Sequence, residues 1–416
     1  MESSESHFLR PHLLKGPEAQ AGPRASSRFP GGSLQQVLGD QLSPPDVQGR
    51  YCVDKSSRRV YSLQPEPQVL SALTTEDADS YLCTPQGFLV AYRDIPFQST
   101  EVREREAVNY SVYQASPLRL VAQVAGDNSA EPSVSPAGDL LVLPGKPVTL
   151  LWPESGLQRQ LPCGSRAVFS PDGLRVALCG EGVQLLDCIQ DGPLQAHWVG
   201  REFVRDRFVG LGQVYLTWGE YLCEFNELYL NKWEHCFRDV DKGCRIRDSQ
   251  GSLLTTVKSQ EGVQWALAVG PQKLFRALAD CVELVHAGRV LQRWRTRYPY
   301  PLSPSILPLP GSRYVLTADN GGLWVVDDEG NHCFACEPFA DSVTRTLEAN
   351  GDWIAALDYE QNLLLWSAFD GRRVARCKAL SGQTLRLTPH FVYACGQLWH
   401  LPRPVPTPAC SPSRGA

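Results

Sequence analysis

The feature that most constrains this chain is a pattern of four short apolar runs, separated by turn residues, that recurs about every 40 residues. In "LPLPGSRYVLTADNGGLWVVDDEGNHCFACEPF" (307–339), a first run passes through Gly311 to "YVLTA", then to "LWVV" and finally to "HCFAC". The stretch "LEANGDWIAALDYEQNLLLWSAFDGRRVARCKA" (347–379) has the same order, and its Gly351 follows Gly311 by 40 residues. Runs of this length rich in Val, Ile, Leu and aromatic residues are typical of strands, so each copy predicts a four-stranded antiparallel sheet.

Further copies extend the repeat in both directions. "RLTPHFVYACGQLWHL" follows the copy at 347–379. "AVFSPDGLRVALCGEGVQLLD" (167–187) is a copy nearer the N-terminus, and "SPAG" with "DLLVLPG" belongs to the copy before it. In "SPDG" the proline suits the second position of a type I turn and the glycine suits the fourth, which is the chemistry of a hairpin.

Stacking around an axis is what such sheets require, because one sheet alone cannot bury both of its apolar faces. The repeat therefore predicts an all-β fold, a β-propeller of about seven four-stranded blades, with six or eight also compatible. The last copy, "QLWHLPRPV", is one strand short. Ring closure then needs a strand from the start of the fold, which we place in "RYCVDKSSRRVYSL" (50–63).

Composition supports many short elements over long helices, since Gly (34) and Pro (32) make up about one residue in six. The formal net charge of −5 gives no general attraction to nucleic acid or anionic membranes. No run approaches the length of a membrane span and the N-terminus has no signal-like core, so we expect a cytoplasmic protein. The 14 cysteines lie mostly inside apolar runs and are interpreted as reduced core residues.

The ends of the chain differ from the repeat in composition. Residues 1–48 are predicted to be a flexible tail, 49–402 the propeller, and 403–416 a second flexible tail. Within the first tail, "GSLQQVLGDQLS" places Leu34, Val37, Leu38 and Leu42 on one helical face. This predicts a short helix over 33–42, either for docking or packed on its own domain. "LFRALADCVELVHAG" fits a helix or a hairpin.

Two clusters of cysteine and histidine could in principle bind a metal. "HCFAC" contains His332, Cys333 and Cys336, but a structural zinc site needs four ligands, and positions 333 and 336 of a strand point to opposite faces. The second cluster comprises His235, Cys236 and Cys244. We predict no metal and no cofactor at either place.

Two other segments are candidate partner-binding loops. An irregular, charged stretch (221–253) carries the interleaved aromatic residues Tyr229, Trp233 and Phe237. "RWRTRYPYP" (293–301) combines arginines with aromatic residues, and its candidate contact residues are Arg293, Trp294 and Arg295. The strand-end aspartates are interpreted as turn formers; they are Asp187, Asp319, Asp327 and Asp358.

The repeat resembles WD40-like and quinoprotein-like propellers. "FSPDG" (169–173) stands where WD40-like blades place the turn before their second strand, and "LLD" (185–187) and "VVD" (325–327) stand where they place Trp-Asp. "ALDYEQNLLLW" (356–366) is similar to the quinoprotein docking repeat, with Asn362 in place of its glycine. The chain also resembles bacterial propellers encoded with a MoxR-type AAA+ ATPase and a von Willebrand A-domain protein.

These observations predict a non-catalytic platform that binds other proteins, with no nucleic-acid or membrane partner. The resemblance implies a MoxR-type AAA+ ATPase and a von Willebrand A-domain protein as partners. The alternative is a propeller enzyme of the hydrolase or lactonase type, with acidic residues at the central channel. Three or more Asp, Glu or His side chains converging at the channel mouth would favour the enzyme, and a broad apolar patch would favour the platform.

Overall fold

The chain folds as an all-β propeller, and its described residues form nine sheets arranged in chain order. The structure is a computed structural model. It describes residues 34–38, 41–64, 66–74, 78–93, 107–127, 131–145, 147–161, 166–179, 183–188, 196–198, 212–218, 221–228, 243–248, 250, 252–258, 263, 265–278, 281–295, 306–317, 322–337, 344–382 and 384–402.

The strands of the first four sheets follow the N-terminal strand β1 (Gln36–Leu38). Sheet 1 contains β2 (Tyr51–Asp54), β3 (Arg59–Ser62) and β4 (Gln68–Ala72). Sheet 2 contains β5 (Ser80–Cys83), β6 (Phe88–Tyr92), β7 (Ala107–Ala115) and β8 (Leu118–Asp127). Sheet 3 contains β9 (Ser133–Val134), β10 (Leu141–Leu143), β11 (Val148–Trp152) and β12 (Leu157–Leu161). Sheet 4 contains β13 (Arg166–Phe169), β14 (Arg175–Cys179), β15 (Val183–Asp187) and β16 (Ala196–Trp198).

The remaining sheets repeat this plan. Sheet 5 contains β17 (Gly212–Trp218), β18 (Leu222–Leu228), β19 (Gly243–Arg247) and β20 (Leu253–Lys258). Sheet 6 contains β21 (Trp265–Gly270), β22 (Lys273–Ala277), β23 (Cys281–His286) and β24 (Arg289–Arg295). Sheet 7 contains β25 (Ile306–Leu309), β26 (Arg313–Thr317), β27 (Leu323–Asp327) and β28 (His332–Ala335). Sheet 8 contains β29 (Thr344–Ala349), β30 (Trp353–Asp358), β31 (Asn362–Ser367) and β32 (Arg373–Lys378). Sheet 9 contains β33 (Leu385–Leu387), β34 (Phe391–Ala394) and β35 (Gln397–His400), together with β1.

The sheets are antiparallel, and in those formed by four consecutive strands the first strand lies innermost; in sheet 1 the position inside β2 is taken by residues 41–43, where Leu42 pairs with Asp54. First strands of consecutive sheets contact one another, as β9 does β13 and β29 does β33. The middle strands are buried, whereas outer strands such as β4, β20 and β24 are largely exposed. In the sheets formed by four consecutive strands, the first and third turns share one face of the ring, here called face A, and the second turns lie on the opposite face B.

Apolar packing between neighbouring sheets forms the core. Strand residues alternate between two faces, so one strand serves two interfaces. In β30, Ile354 and Ala356 pack against sheet 7, whereas Ala355 and Leu357 pack against sheet 9. The same division recurs around the ring, and its stabilising effect is the removal of apolar surface from water on both sides of each sheet.

The ring closes between sheet 9 and sheet 1. Strand β1 pairs antiparallel with β35 and completes the last sheet. Apolar residues of both sheets then pack together; they are Leu42, Cys52, Leu63, Phe391, Tyr393 and Leu398. The Tyr393 hydroxyl donates a 3.0 Å hydrogen bond to the Leu42 carbonyl oxygen, which joins the two ends of the fold.

The prediction of an all-β propeller is confirmed, but the predicted number of about seven blades is wrong. The described residues form nine sheets. Most strands have only three to six residues and many turns have only two to four, so each sheet uses fewer residues than we assumed. The predicted missing strand of the last sheet is confirmed, because only three strands of sheet 9 come from the C-terminal region.

The closing strand is not the one we predicted. The stretch 50–63 forms β2 and β3 of sheet 1, and ring closure uses β1, inside the segment predicted as a helix over 33–42. A β-bulge explains the misleading spacing: Gln36 pairs with Trp399 and Leu38 with Leu398, so Val37 is an extra residue that interrupts the alternation. The fold therefore includes residues 34–38 and 41–48, which belong to the segment predicted as a flexible tail, and residues 403–416 lie outside the described part of the chain.

The hairpin alternative for 273–286 is the one that forms, as β22 and β23. The two copies at 307–339 and 347–379 each form one complete sheet, as predicted. "FSPDG" joins the first strand of sheet 4 to its second, and its Ser170 hydroxyl accepts a hydrogen bond from the Arg175 amide at 3.0 Å.

In sheet 8, the glycine of the third turn contacts the neighbouring sheet at face A. Gly371 in sheet 8 has a φ of +70° and lies directly on the outer strand of sheet 7, where a methyl group would approach the Ala335 carbonyl oxygen to 2.9 Å. Next to this contact, the Trp366 indole N–H donates a 2.8 Å hydrogen bond to the Glu337 carbonyl oxygen of sheet 7. Gly156, in the equivalent turn of sheet 3, also has a φ of +70°, but nothing lies within 4 Å of a methyl group there.

One inner-strand carboxyl group has an unusual pKa. Glu348 lies on β29 and is partly buried, and removal from water raises its pKa from the ordinary 4.5 to about 7. The positive charge of Arg386, on the neighbouring inner strand β33, opposes this rise.

We predict that Gly371→Ala destabilises the protein more than Gly156→Ala. The two substitutions share the same backbone strain, so their difference isolates the clash with sheet 7, expected to be about 1–3 kcal/mol. Urea denaturation followed by tryptophan fluorescence measures both. Equal losses for the two variants would show that this turn does not fix the neighbouring sheet.

We also predict that Glu348→Gln changes the pH dependence of stability. Between pH 4.5 and about 7 the folded carboxyl group keeps a proton that the unfolded one releases, so stability falls as pH rises through this window. Relative to the wild type, the variant should gain on the order of 2 °C in Tm at about pH 8 and nothing at about pH 4. Calorimetry at both pH values checks this, and a gain that is equal at both would refute it.

Candidate protein-binding surface

The two segments predicted to bind partners belong to neighbouring sheets. Tyr229, Trp233 and Phe237 lie outside the described residues, between β18 and β19 of sheet 5. Arg293, Trp294 and Arg295 lie at the end of β24, the outer strand of sheet 6. Sheets 5 and 6 share an apolar interface, and the Lys258 carbonyl oxygen of β20 accepts a 3.0 Å hydrogen bond from Arg276 of β22.

Trp294 is a correction to the predicted contact set. Its ring is buried between sheets 6 and 7, with its centroid 6.1 Å from that of Phe275. In this strand, alternation places Trp294 inward and its two neighbours outward, because a large aromatic ring gains most from burial. Arg293 and Arg295 remain exposed.

Arg293 belongs to a charged trio that crosses three strands of sheet 6. Glu283 of β23 is fully buried and pairs directly with Arg276 on one side and Arg293 on the other. The Arg276 Nη2 lies 2.7 Å from Glu283 Oε2, and the Arg293 Nε donates to Oε1 at 2.7 Å. Both carboxylate oxygens are thus satisfied, which a buried charge requires.

The outer strands share a β-bulge that the sequence pattern did not predict. In seven sheets of the described structure, the register shifts near the start of the outer strand, so that one residue there has no partner on the adjacent strand. These bulge residues are apolar or cysteine: Val37, Leu70, Val121, Leu254, Leu291, Cys333 and Val374. A bulge interrupts the regular edge that another strand would need for pairing.

On sheets 5 and 6 the bulges expose aliphatic side chains to solvent. Leu253 and Leu254 on β20 are 51% and 38% exposed, and Val290 and Leu291 on β24 are 43% and 47% exposed. The outer strands run in the same direction, so both pairs lie near face A. We call these four residues the aliphatic edge. Single exposed aliphatic residues are ordinary, whereas these are two adjacent pairs, one on each outer strand of two neighbouring sheets.

A sequence signal for the aliphatic edge does exist. In "SLLTTVK" and "RVLQRWR" two aliphatic residues stand side by side directly after a turn, where strict alternation would expose only one of them. "PQVLSA" on β4 has the same doublet, and Val69 and Leu70 are exposed there too.

The strand-end aspartates form turns, as predicted, at two of the four positions. Asp327 accepts a 2.7 Å hydrogen bond from the Asn331 amide, and Asp358 accepts one from the Asn362 amide at 2.7 Å. Burial raises the pKa of Asp327, but hydrogen bonds from Asn331, Glu329 and Gly330 outweigh it and leave the pKa below the usual range. Asp187 instead forms a 3.0 Å ion pair with Arg175, and Asp319 lies outside the described residues.

The cysteine clusters are separated by the fold. His332 and Cys333 are exposed on the edge of sheet 7, whereas Cys336 is buried against sheet 8, where removal from water raises its pKa to about 12. Cys244 is buried between sheets 5 and 6, and His235 and Cys236 lie outside the described residues. Among the residues that the structure describes, no three His, Cys, Asp or Glu side chains are grouped closely enough to hold a metal ion.

That same part of the chain contains no helix long and apolar enough to cross a membrane.

Two solved structures resemble this chain, and the first supports the fold. The computationally designed Ika8 protein aligns over 80% of this chain and 99% of its own, with a TM-score of 0.50 and 12% identity, a likeness that shows a shared fold only. BamB from Moraxella catarrhalis aligns over 77% of this chain and 96% of its own, with a TM-score of 0.45 and 12% identity. No protein-family model and no curated protein matches the chain.

We predict that Glu283→Gln is strongly destabilising, because it leaves two guanidinium groups, one of them buried, around a neutral amide. The expected loss is about 3–5 kcal/mol in urea denaturation. Glu337→Gln is the matched control, since Glu337 forms an exposed 3.2 Å pair with Arg373 and should cost less than about 1 kcal/mol. Similar losses in both variants would contradict the special role of the buried trio.

Proposed function

We propose that this propeller is a non-catalytic scaffold that binds other proteins, and that the outer edges of sheets 5 and 6 are its principal contact surface. The observation that carries the proposal is the aliphatic edge. Four exposed aliphatic side chains on the outer strands of two neighbouring sheets lose contact with water when a partner covers them, and this is the main favourable contribution in protein association.

The rigidity of the framework supports this assignment. The two strands of the aliphatic edge belong to sheets that share an apolar cluster, in which Cys223, Ile246, Leu274 and Val285 are fully buried. A rigid surface loses little conformational entropy on binding, so more of the contact energy contributes to affinity.

The contact is made by side chains and not by strand addition. Bulges at Leu254 and Leu291 interrupt both edges at the level of the exposed residues, so a partner strand could not continue the hydrogen-bond ladder there. A partner with a complementary apolar groove or helix face fits this surface better than an extended peptide does.

The sequence resemblance suggests the first partners to test, a MoxR-type AAA+ ATPase and a von Willebrand A-domain protein, and the cytoplasm as the place where they meet. The aromatic residues Tyr229, Trp233 and Phe237 and the arginines Arg293 and Arg295 remain candidate contacts within this proposal. The enzyme alternative would require acidic side chains converging on one point of the channel.

The test is co-purification from the native host with quantitative mass spectrometry. The wild type is compared with the fourfold variant Leu253→Ser, Leu254→Ser, Val290→Ser and Leu291→Ser. Proteins that bind the aliphatic edge should fall at least about tenfold in yield with the variant, because each lost apolar contact weakens binding.

Val69→Ser with Leu70→Ser is the matched control, since these residues have a similar exposure at the equivalent bulge of sheet 1. Partners should be retained by this control, and all three proteins should have similar Tm values. The same partners at the same yield with the fourfold variant would rule out the aliphatic edge as the contact surface.

A further inference from the structure

One outer edge of the propeller lacks the β-bulge that most of the others carry. Strand β12 (Leu157–Leu161) pairs with β11 over all five of its residues, without a shift in register. Seven outer strands are interrupted by a bulge, and β16, which also pairs without a shift, has only three residues. Within the described part of the chain, β12 is therefore the longest outer strand with uninterrupted pairing.

The free side of β12 is open to another strand. As in every outer strand, about half of its backbone N–H and C=O groups point away from the neighbouring strand. Gln158 and Gln160 are exposed, and among the described residues neither has a hydrogen bond beyond the pairing with β11. The strand has no proline, and its one charged residue is Arg159. Nothing in the strand itself therefore blocks the addition of a further strand.

The sequence of β12, "LQRQL", reads the same in both directions around Arg159. Its exposure has the same symmetry, since Leu157, Arg159 and Leu161 are partly buried and the two glutamines are exposed. If two copies of β12 pair antiparallel around Arg159, leucine lies opposite leucine and glutamine opposite glutamine. A two-fold contact between identical chains requires this kind of self-complementary edge.

Arg159 is the one position at which this symmetry brings like charges together. Its Cζ lies 5.5 Å from the centroid of the Trp152 ring. Because Trp152 belongs to β11, on the inner side of β12, this contact draws the guanidinium group back from the free edge. The two backbones can then approach each other while the two charges stay apart.

We infer that β12 is a self-association edge, which pairs antiparallel with β12 of a second copy and joins the two copies of sheet 3 into one eight-stranded sheet. The inference is independent of the proposed function and concerns a different sheet. Two-fold pairing occupies the edge of both copies, so association through it stops at the dimer. Five residue pairs make a small contact, so we expect a reversible dimer with a Kd on the order of 0.1 mM.

Sedimentation velocity from about 5 µM to about 0.5 mM tests the dimer, because this range spans the expected Kd. The wild type should change from monomer to dimer. Gln158→Lys with Gln160→Lys should weaken dimerisation at least about tenfold, because each lysine then faces a lysine across the edge. Both glutamines are exposed, so the variant should keep the Tm of the wild type.

Gln68→Lys with Gln123→Lys is the matched control. It adds the same two charges at exposed glutamines, but on the bulged outer strands β4 and β8, and it should dimerise as the wild type does. A wild type that stays monomeric over the whole range would overturn the inference. So would a dimer that is equally strong in the β12 variant.

Disulfide trapping tests the register. In the symmetric dimer, Gln158 lies directly opposite Gln160 of the second copy, whereas two copies of Gln158 are too far apart for a disulfide. Gln158→Cys and Gln160→Cys proteins are mixed and oxidised, and the linked peptides are identified by mass spectrometry. Links between the two different variants should exceed links between identical variants at least about fivefold. A majority of identical links would refute pairing around Arg159.

Co-purification from the native host distinguishes a second copy from another protein at this edge. If the isolated protein is monomeric and native partners are lost with Gln158→Lys and Gln160→Lys, another protein occupies β12 and the second-copy assignment is wrong. The fourfold serine variant of the aliphatic edge should dimerise as the wild type does, so the outcome is separable from that of the proposed function.

Discussion

Apolar packing between consecutive sheets is the interaction on which the rest of the structure depends. Every strand in the middle of a sheet divides its side chains between two neighbours, as β30 does with sheets 7 and 9. No sheet can bury both faces without a sheet on either side, so the interfaces stabilise one another around the whole ring. Closure through Leu42, Cys52, Phe391 and Tyr393 gives the first and last sheets the same burial as the others.

The outer strands set how this propeller can contact other molecules. In the described residues, seven outer edges carry a bulge, so regular strand pairing is interrupted there and side chains are redirected. The residue at each bulge is apolar or cysteine, and on sheets 5 and 6 it stands beside a second exposed aliphatic residue. The same local irregularity therefore limits aggregation through strand edges and creates a surface for side-chain contacts.

The sequence predicted what depends on local chemistry. Glycine turns at Gly311 and Gly351 and the aspartate turns at Asp327 and Asp358 follow from neighbouring residues, and these predictions are confirmed. The number of sheets depends on the exact length of every strand and turn, and our average was too large. The closing strand was missed because the bulge at Val37 disturbs the two-residue period, and four apolar residues then match a helical period instead.

The candidate surface was predicted in part. Arg293 and Arg295 lie exposed on β24, but the burial of Trp294 depends on the neighbouring sheet and on Phe275, which no local pattern reveals. The partner of Glu283 was equally hidden, since Arg276 and Arg293 come from two other strands.

The hydrogen bond from Tyr393 to Leu42 spans 351 residues, and it belongs to the contact that closes the ring. A ribosome makes β1 long before its partner β35. Until β35 has been made, the first sheet therefore has one apolar face without its neighbour, and β1 must stay available for pairing. Contacts of such long sequence separation form slowly, so the newly made protein passes through an open-ring stage in which chaperones and premature association compete with closure.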